Sequence, residues 1–162
     1  MRRRGALALA CSELSLRIGH MEMLPKTVDA PVIRTHFDDE DAWKTVCELI
    51  RQPVDDGFGG EFYASVSFVD NATFRNLTER ELLERVPVDF GHSFLMIVDK
   101  TAARSPEFPI LVMDLHRERG RTFRAGPSEI QSIQNNLSIS NMDFDEFADS
   151  ADADGVFRGF PE

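Results

Sequence analysis

Two short apolar runs near the middle of the chain constrain its fold more than any other feature. Phe94–Val98 has the sequence FLMIV, and residues 110–113 have the sequence ILVM. Continuous apolar strands are typical of the centre of a sheet that is covered on both faces. The linker, residues 100–108, is too short for a crossover helix, so the two strands are predicted to pair as an antiparallel hairpin.

Strands and helices alternate along the rest of the chain. Residues 31–37 and 61–69 are predicted strands, the second because apolar residues from Phe62 to Phe68 alternate with polar ones. Further strands are predicted at residues 121–125 and 156–160. The resulting order is β-α-β-α-β-β-β-α-α-β. It predicts an α/β (α+β) fold, a mixed sheet with a central antiparallel hairpin and helices packed on it.

Four helices are predicted from apolar residues at helical spacing and from residues that cap helix N-termini. In the first helix, Trp43, Val46, Cys47 and Ile50 form the apolar face. The predicted N-terminal caps are Asp38, Thr78, Ser128 and Asn141. The last helix is predicted to bury Phe144 and Phe147 and to end at Gly155.

The first residues form a basic leader in front of a single acidic domain, residues 24–162. MRRRGALALAC is like the start of an exported protein, but its apolar run GALALA is shorter than the roughly 7–15 residues of a signal peptide core. We therefore expect residues 1–23 to be a disordered leader, with Met21 or Met23 as the working start of the protein.

Charge restricts the partners that the domain can bind. The chain carries 28 acidic and 18 basic side chains, a net charge of −10, although its leader is basic. Such a domain repels phosphate backbones, so we expect no nucleic-acid partner and favour a basic protein. Many acidic proteins are acidic only for solubility, and that interpretation stays open.

The sequence gives only indirect indications of the cellular compartment and of cofactors. No apolar run is long enough to cross a membrane. Cys11 and Cys47 do not suggest a disulfide framework, so a reducing, cytoplasmic location is expected. Cys47 is interpreted as a small core residue. No cofactor is predicted, and the sequence leaves the oligomeric state open.

One group of polar residues has the composition of a catalytic or metal site. If the hairpin loop spans residues 99–109, His92 lies opposite His116, and Asp114 shares the sheet face with His116. Two histidines and a carboxylate bind metals or carry out acid–base chemistry. His36, at the end of the first strand, is expected near the same edge. The alternative is that these are polar surface residues at strand ends.

Several stretches resemble a family of small bacterial proteins, with fungal relatives, that is described only as a domain of unknown function. These stretches are LPKTVDAPVIRTHFDDEDAW, GHSFLMIVD, RTFR with PSEIQSIQNNLSISNMDFDEFAD, and DGVFRGF, and the likeness covers about residues 24–160. The resemblance implies no activity, ligand or catalytic residue. It directs attention to four candidate binding residues, Asn135, Asn136, Asn141 and Asp143, whose alternative role is capping helices and forming turns.

The sequence therefore leaves two functions open. The favoured one is a non-enzymatic protein-binding module of the inhibitor or immunity type, directed at a basic partner. The alternative is a small metal-assisted or acid–base enzyme of hydrolase type that uses His92, Asp114 and His116.

Overall fold

The computed structural model describes residues 21–55 and 57–161. This part of the chain contains eight strands: β1 (Ala30–Arg34), β2 (Val54–Asp55), β3 (Glu61–Phe62), β4 (Val66–Val69), β5 (Phe94–Val98), β6 (Ile110–Asp114), β7 (Thr122–Ala125) and β8 (Val156–Phe157). It also contains five α-helices: α1 (Glu40–Arg51), α2 (Glu79–Glu84), α3 (Lys100–Arg104), α4 (Ile130–Ser138) and α5 (Phe144–Asp149). Residues 1–20, which hold most of the expected leader, lie outside the described residues.

Six of the strands form one mixed sheet in the order β4-β1-β5-β6-β7-β8, and β2 pairs with β3 in a separate small hairpin. β1 is parallel to both β4 and β5, whereas β6 is antiparallel to β5 and β7. Phe94 lies opposite Asp114, the register that the sequence predicts. The mixed α/β fold with its central antiparallel hairpin is confirmed.

Helices cover both faces of the sheet because the central strands are apolar on both sides. One face packs against residues of α1, α3, α4 and α5, including Trp43, Ile133 and Phe147. The other face packs against Leu82 of α2 and against Leu24 in the segment that precedes β1. No helix in the described residues is long and apolar enough to cross a membrane.

The cap of α1 lies one residue later than the sequence predicts. The Asp39 carboxylate, at the N-cap, accepts a hydrogen bond of 2.8 Å from the N–H of Ala42. Asp38 instead accepts a hydrogen bond of 2.9 Å from the Arg75 guanidinium. The predicted capping box at Thr78 and Glu81 is confirmed at the start of α2.

Two predicted caps near the C-terminus are wrong. A 3₁₀ turn, Pro127–Glu129, leads directly into α4, so the Ser128 side chain makes no capping hydrogen bond and contacts Glu129 instead. Asp143, not Asn141, caps α5, in a capping box with Glu146. α5 ends at Asp149, and Gly155 lies in the turn before β8 with φ of 80°.

The linker between β5 and β6 contains a helix that the sequence analysis missed. Asp99 caps α3 by accepting a hydrogen bond of 2.9 Å from the N–H of Ala102. Both carboxylate oxygens of Asp99 also accept hydrogen bonds from the Arg124 guanidinium, at 3.1 and 2.6 Å. α3 is only one turn long, so the strands that it joins still run antiparallel.

The predicted strand over residues 61–69 is interrupted. Glu61 and Phe62 pair with β2, and only Val66–Val69 join the main sheet. Gly57 and Gly59 have positive φ angles of 79° and 87°, which shape the connection that folds β3 back on β2. Phe62, which is predicted to share one strand with Phe68, lies outside the main sheet because it pairs with β2.

The phenylalanine cluster under β7 and β8 provides a test of the core. Phe147 is fully buried and contacts the rings of Phe123, Phe157 and Phe160. Phe147→Ala removes these contacts and leaves a cavity, so we expect the free energy of unfolding to fall by about 3–5 kcal/mol. The measurement is urea denaturation. The control, Phe58→Ala, alters a side chain that is 96% exposed and should change stability by less than about 0.5 kcal/mol. Equal effects would contradict the placement of Phe147.

Candidate functional site

Asp114 ends β6 and organises the turn that follows. Its Oδ1 accepts a hydrogen bond of 2.8 Å from the N–H of His116, and its Oδ2 accepts one of 2.7 Å from the N–H of Glu118. Its C=O accepts a further one of 2.8 Å from the N–H of Gly120. The side chain is 2% exposed, and backbone donors bind both carboxylate oxygens. Asp114 is therefore used for turn formation, the role that aspartate often has beside tight turns.

His116 and Asp114 line one small cavity of about 50 Å³ at this end of the hairpin. Other polar lining residues are Ser93, Arg117, Ser140 and Asp143. Arg117 donates a hydrogen bond of 2.7 Å to Asp143. A cavity of this size holds a water molecule or two, whereas pockets for organic ligands are typically about 300–1,000 Å³.

His92 does not join this cavity. Its Nε2 lies 3.0 Å from the C=O of Thr27 and 3.2 Å from the Thr27 hydroxyl, and its ring packs edge-on against Phe90. His92 thus anchors the segment before β1 to the start of β5. The predicted group is divided: the structure brings Asp114 and His116 together and places His92 elsewhere.

His36 lies at the opposite end of the strands from His92. Its N–H donates to the C=O of Val98, at the carboxyl end of β5, whereas His92 precedes the amino end of that strand. The expectation that His36 approaches the same edge is wrong because β1 and β5 are parallel. Across residues 21–55 and 57–161, no three His, Cys, Asp or Glu side chains are placed to hold a metal ion.

The four candidate binding residues build the connection between α4 and α5. Asn141 Nδ2 donates a hydrogen bond of 2.7 Å to Asn136 Oδ1, and the Asn141 N–H donates one of 2.9 Å to the Asn136 C=O. Asp143 caps α5, and the C=O of Asn135 accepts from the N–H of Ile139 at 3.3 Å. These contacts account for the residues as turn formers, and a binding role for them stays a prediction.

A buried arginine at the end of β1 was not recognised from the sequence. Arg34 is 3% exposed, and its Nη1 lies 2.8 Å from Glu40 Oε2 and 3.2 Å from Asp70 Oδ1. Its guanidinium also packs over the ring of Phe37. These contacts join β1, the start of α1 and the residue after β4. The sequence signal that could have identified Arg34 is its charge within the predicted strand PVIRTHF.

The small hairpin of β2 and β3 exposes three aromatic side chains. Phe58 is 96% exposed, Phe62 52% and Tyr63 58%. The Tyr63 hydroxyl donates a hydrogen bond to Glu61, and this bond raises the pKa of Tyr63 above its ordinary value. Asp55 lies in the same hairpin and is exposed. The hairpin thus presents aromatic rings next to carboxylates.

This aromatic hairpin, residues 54–55 and 57–63, is connected to the end of α1 on one side and to the start of β4 on the other. A shallow cavity of about 220 Å³ lies between α1 and β4. Trp43 and Phe68 line it and contact each other edge-on at 5.9 Å, and Arg51 packs over Phe68. Glu40, Glu48 and Asp70 supply carboxylates to its lining. We call the hairpin, the outer side of β4 and this cavity the β4 surface.

Cys47 also lines the cavity but is buried. Burial raises the pKa of its thiol to about 11, so the thiol is protonated near neutral pH. A protonated thiol is a poor nucleophile, and this agrees with the interpretation of Cys47 as a small core residue.

Mutation can distinguish the structural role of Asp114 from that of His116. Asp114→Ala removes the acceptor of two backbone hydrogen bonds, and we expect the free energy of unfolding to fall by about 2–4 kcal/mol. His116→Ala alters an exposed side chain and should change it by less than about 0.5 kcal/mol. Urea denaturation of both variants measures the difference. Similar small effects would contradict the turn-forming role of Asp114.

Comparison with known proteins agrees with the resemblance seen in the sequence. No curated protein matches the chain. A family model, described as a domain of unknown function (DUF6924), matches residues 29–160. That match includes every strand of the sheet and all five helices of the described residues. The chain therefore belongs to the DUF6924 family.

Proposed function

We propose that this domain is a non-enzymatic protein-binding module of the inhibitor or immunity type, acting in the cytoplasm on a basic protein. The observation that carries the proposal is the aromatic hairpin, which exposes Phe58, Phe62 and Tyr63 beside Asp55 and Glu61. Exposed aromatic side chains are the residues that most often dominate binding energy at protein interfaces. Carboxylates around them favour partners with a positive surface.

Ion pairs make the acid-rich C-terminal segment a weaker binding surface for a basic partner than the hairpin. Residues 143–154 contain six acidic side chains and no basic one. Most of these carboxylates already pair with Arg117, Arg121 and Arg158. The aromatic residues Phe144 and Phe147 of this segment are buried. A partner would find fewer unpaired charges and less aromatic surface there.

The alternative, a small metal-assisted or acid–base enzyme of hydrolase type, has weaker support. Its one favourable observation is that Asp114 and His116 line a common cavity. That cavity is about 50 Å³, His92 lies outside its lining, and the carboxylate of Asp114 is bound by backbone N–H groups. We therefore favour binding over catalysis.

The proposal predicts a salt-sensitive partner. The full chain, immobilised and exposed to a lysate of its native organism, should retain a basic protein at about 50 mM salt and lose most of it at about 500 mM. The Debye length, beyond which exposed charges are largely screened, falls from roughly 14 Å to roughly 4 Å between these two salt concentrations. Mass spectrometry of the eluates identifies the protein. Capture of no partner, or only of acidic or salt-insensitive ones, would remove the support for the proposal.

Variants of the aromatic hairpin identify the surface involved. Phe58→Ser, Phe62→Ser and Tyr63→Ser combined should weaken binding of the captured protein by more than about tenfold, because aromatic anchors carry much of the energy of an interface. Val88→Ser, which alters a fully exposed apolar residue in the loop between α2 and β5, is the matched control and should bind normally. Equal binding by both variants would exclude the hairpin.

A further inference from the structure

β4 is the last strand of the main sheet on its side. β1 pairs with its inner side, and no strand among residues 21–55 and 57–161 pairs with its outer side. An edge strand presents a row of backbone N–H and C=O groups to which another chain can add. The outer side of β4 is therefore a surface for hydrogen bonding as well as for side-chain contacts.

The register identifies which groups of β4 point outward. The N–H of Thr35 donates to the C=O of Val98, so the backbone groups of Thr35 point toward β5. Because successive residues of a strand point these groups to alternate sides, the backbone groups of Val32 point toward β4. Val32 lies opposite Phe68. In a parallel ladder, a residue that faces its partner strand bonds to the two residues flanking the one opposite it. The backbone groups of Phe68, and by the same alternation those of Val66, therefore point away from the sheet.

β4 is only four residues long, which limits the edge that it exposes, but it contains no lysine or proline that would block that edge. Natural edges are often blocked by lysine, proline or a bulge, whereas β4 has the sequence VSFV. The side chains of Val66 and Phe68 are partly buried on the α1 face, where Phe68 contacts Trp43 and Arg51, whereas Val69 is buried on the opposite face. Side chains of β4 thus pack on both faces of the sheet, while no strand in the described part of the chain pairs with its outer side.

We propose that the outer side of β4 binds an extended, basic segment of the partner protein by strand addition. This inference rests on the proposed function and specifies the mode of binding. The exposed ionisable side chains of the β4 surface are mostly acidic, and Lys44 and Arg51 are the only exposed basic residues in the lining of its cavity. Its exposed acids are Asp55 and Glu61 in the hairpin and Glu40, Glu48 and Asp70 at the cavity.

The cavity beside β4 fits the chemistry of a lysine or arginine side chain. Trp43 supplies an apolar wall for the aliphatic stem, and Glu40, Glu48 and Asp70 supply carboxylates for the charged end, in a lining that also holds Lys44 and Arg51. Arg51 packs over the ring of Phe68 and shows how a basic side chain fits there. Arg34 neutralises part of the charge of Glu40 and Asp70, but it is buried and does not itself meet the partner. In strand addition, main-chain bonds give affinity and pockets for alternate side chains give specificity.

The test uses a defined peptide in place of the unidentified partner. A fluorescent peptide of alternating lysine and valine is titrated with the full chain at low salt, and binding is followed by anisotropy. It should bind at least about tenfold more tightly than the same peptide with glutamate in place of lysine. N-methylation of alternate amides along one edge removes backbone donors, and we expect it to weaken binding by about tenfold or more. Equal binding of the N-methylated peptide would overturn strand addition.

Variants of Val66 provide a second, independent test of strand addition. Val66→Pro removes one outward N–H at the first residue of an edge strand, a position where proline is tolerated. The matched control, Val66→Thr, keeps the N–H and the branched side chain. The proline variant should bind the lysine–valine peptide at least about fivefold less tightly, and the threonine variant should bind it normally. If circular dichroism shows that the proline variant is unfolded, binding of the N-methylated peptide to the unmodified chain tests strand addition instead.

The outcomes separate this inference from the proposed function. A captured basic protein that needs the aromatic hairpin but binds Val66→Pro normally would overturn strand addition and leave the proposed function intact. A photo-cross-linker placed at residue 66 reports other occupants of the edge. Cross-links to a second copy, with self-association in sedimentation, or to residues 1–20 of the same copy would overturn the assignment to a partner.

Discussion

The pairing of β5 with β6 is the interaction on which the rest of the structure depends. Both strands are buried along their whole length, and their alternating side chains contribute to the apolar cores on the two faces of the sheet. Each face must then be covered, by α1, α3, α4 and α5 on one side and by α2 with the segment around Leu24 on the other. β1 and β4 extend the sheet from β5, and this places β4 at an edge.

The sequence predicted this centre well because its signals are local and strong. Continuous apolar runs identified the strands, and the short linker gave their direction and register. Prediction failed where one pattern is compatible with two structures. The alternation through residues 61–69 is the same for one strand or for a strand that follows a hairpin, and the glycines before it decide in favour of the hairpin. Ser128 and Asn141 have suitable chemistry for caps, but Pro127 and Asp143 determine where those helices start.

The candidate site shows the same limit. The register was correct, yet it could not indicate where the chain leaves the strand. Asp114 is the last residue of β6 and binds the backbone of the turn, so His116 leaves the sheet and His92 contacts Thr27. The features that favour binding, the exposed rings of the aromatic hairpin and the open side of β4, depend on which segments stay outside the sheet. Composition and residue spacing do not show which segments lie outside the sheet, whereas the excess of acidic side chains can be read directly from the sequence.

We infer that the β4 surface is where this protein binds a basic polypeptide. Amide hydrogen exchange of the full chain, with and without the lysine–valine peptide at low salt, tests it most directly. We expect the amides of Val66 and Phe68 to exchange freely in the unbound chain and to become protected by at least about tenfold when the peptide binds. Binding that leaves both amides unprotected, or that protects only amides elsewhere in the domain, would contradict it.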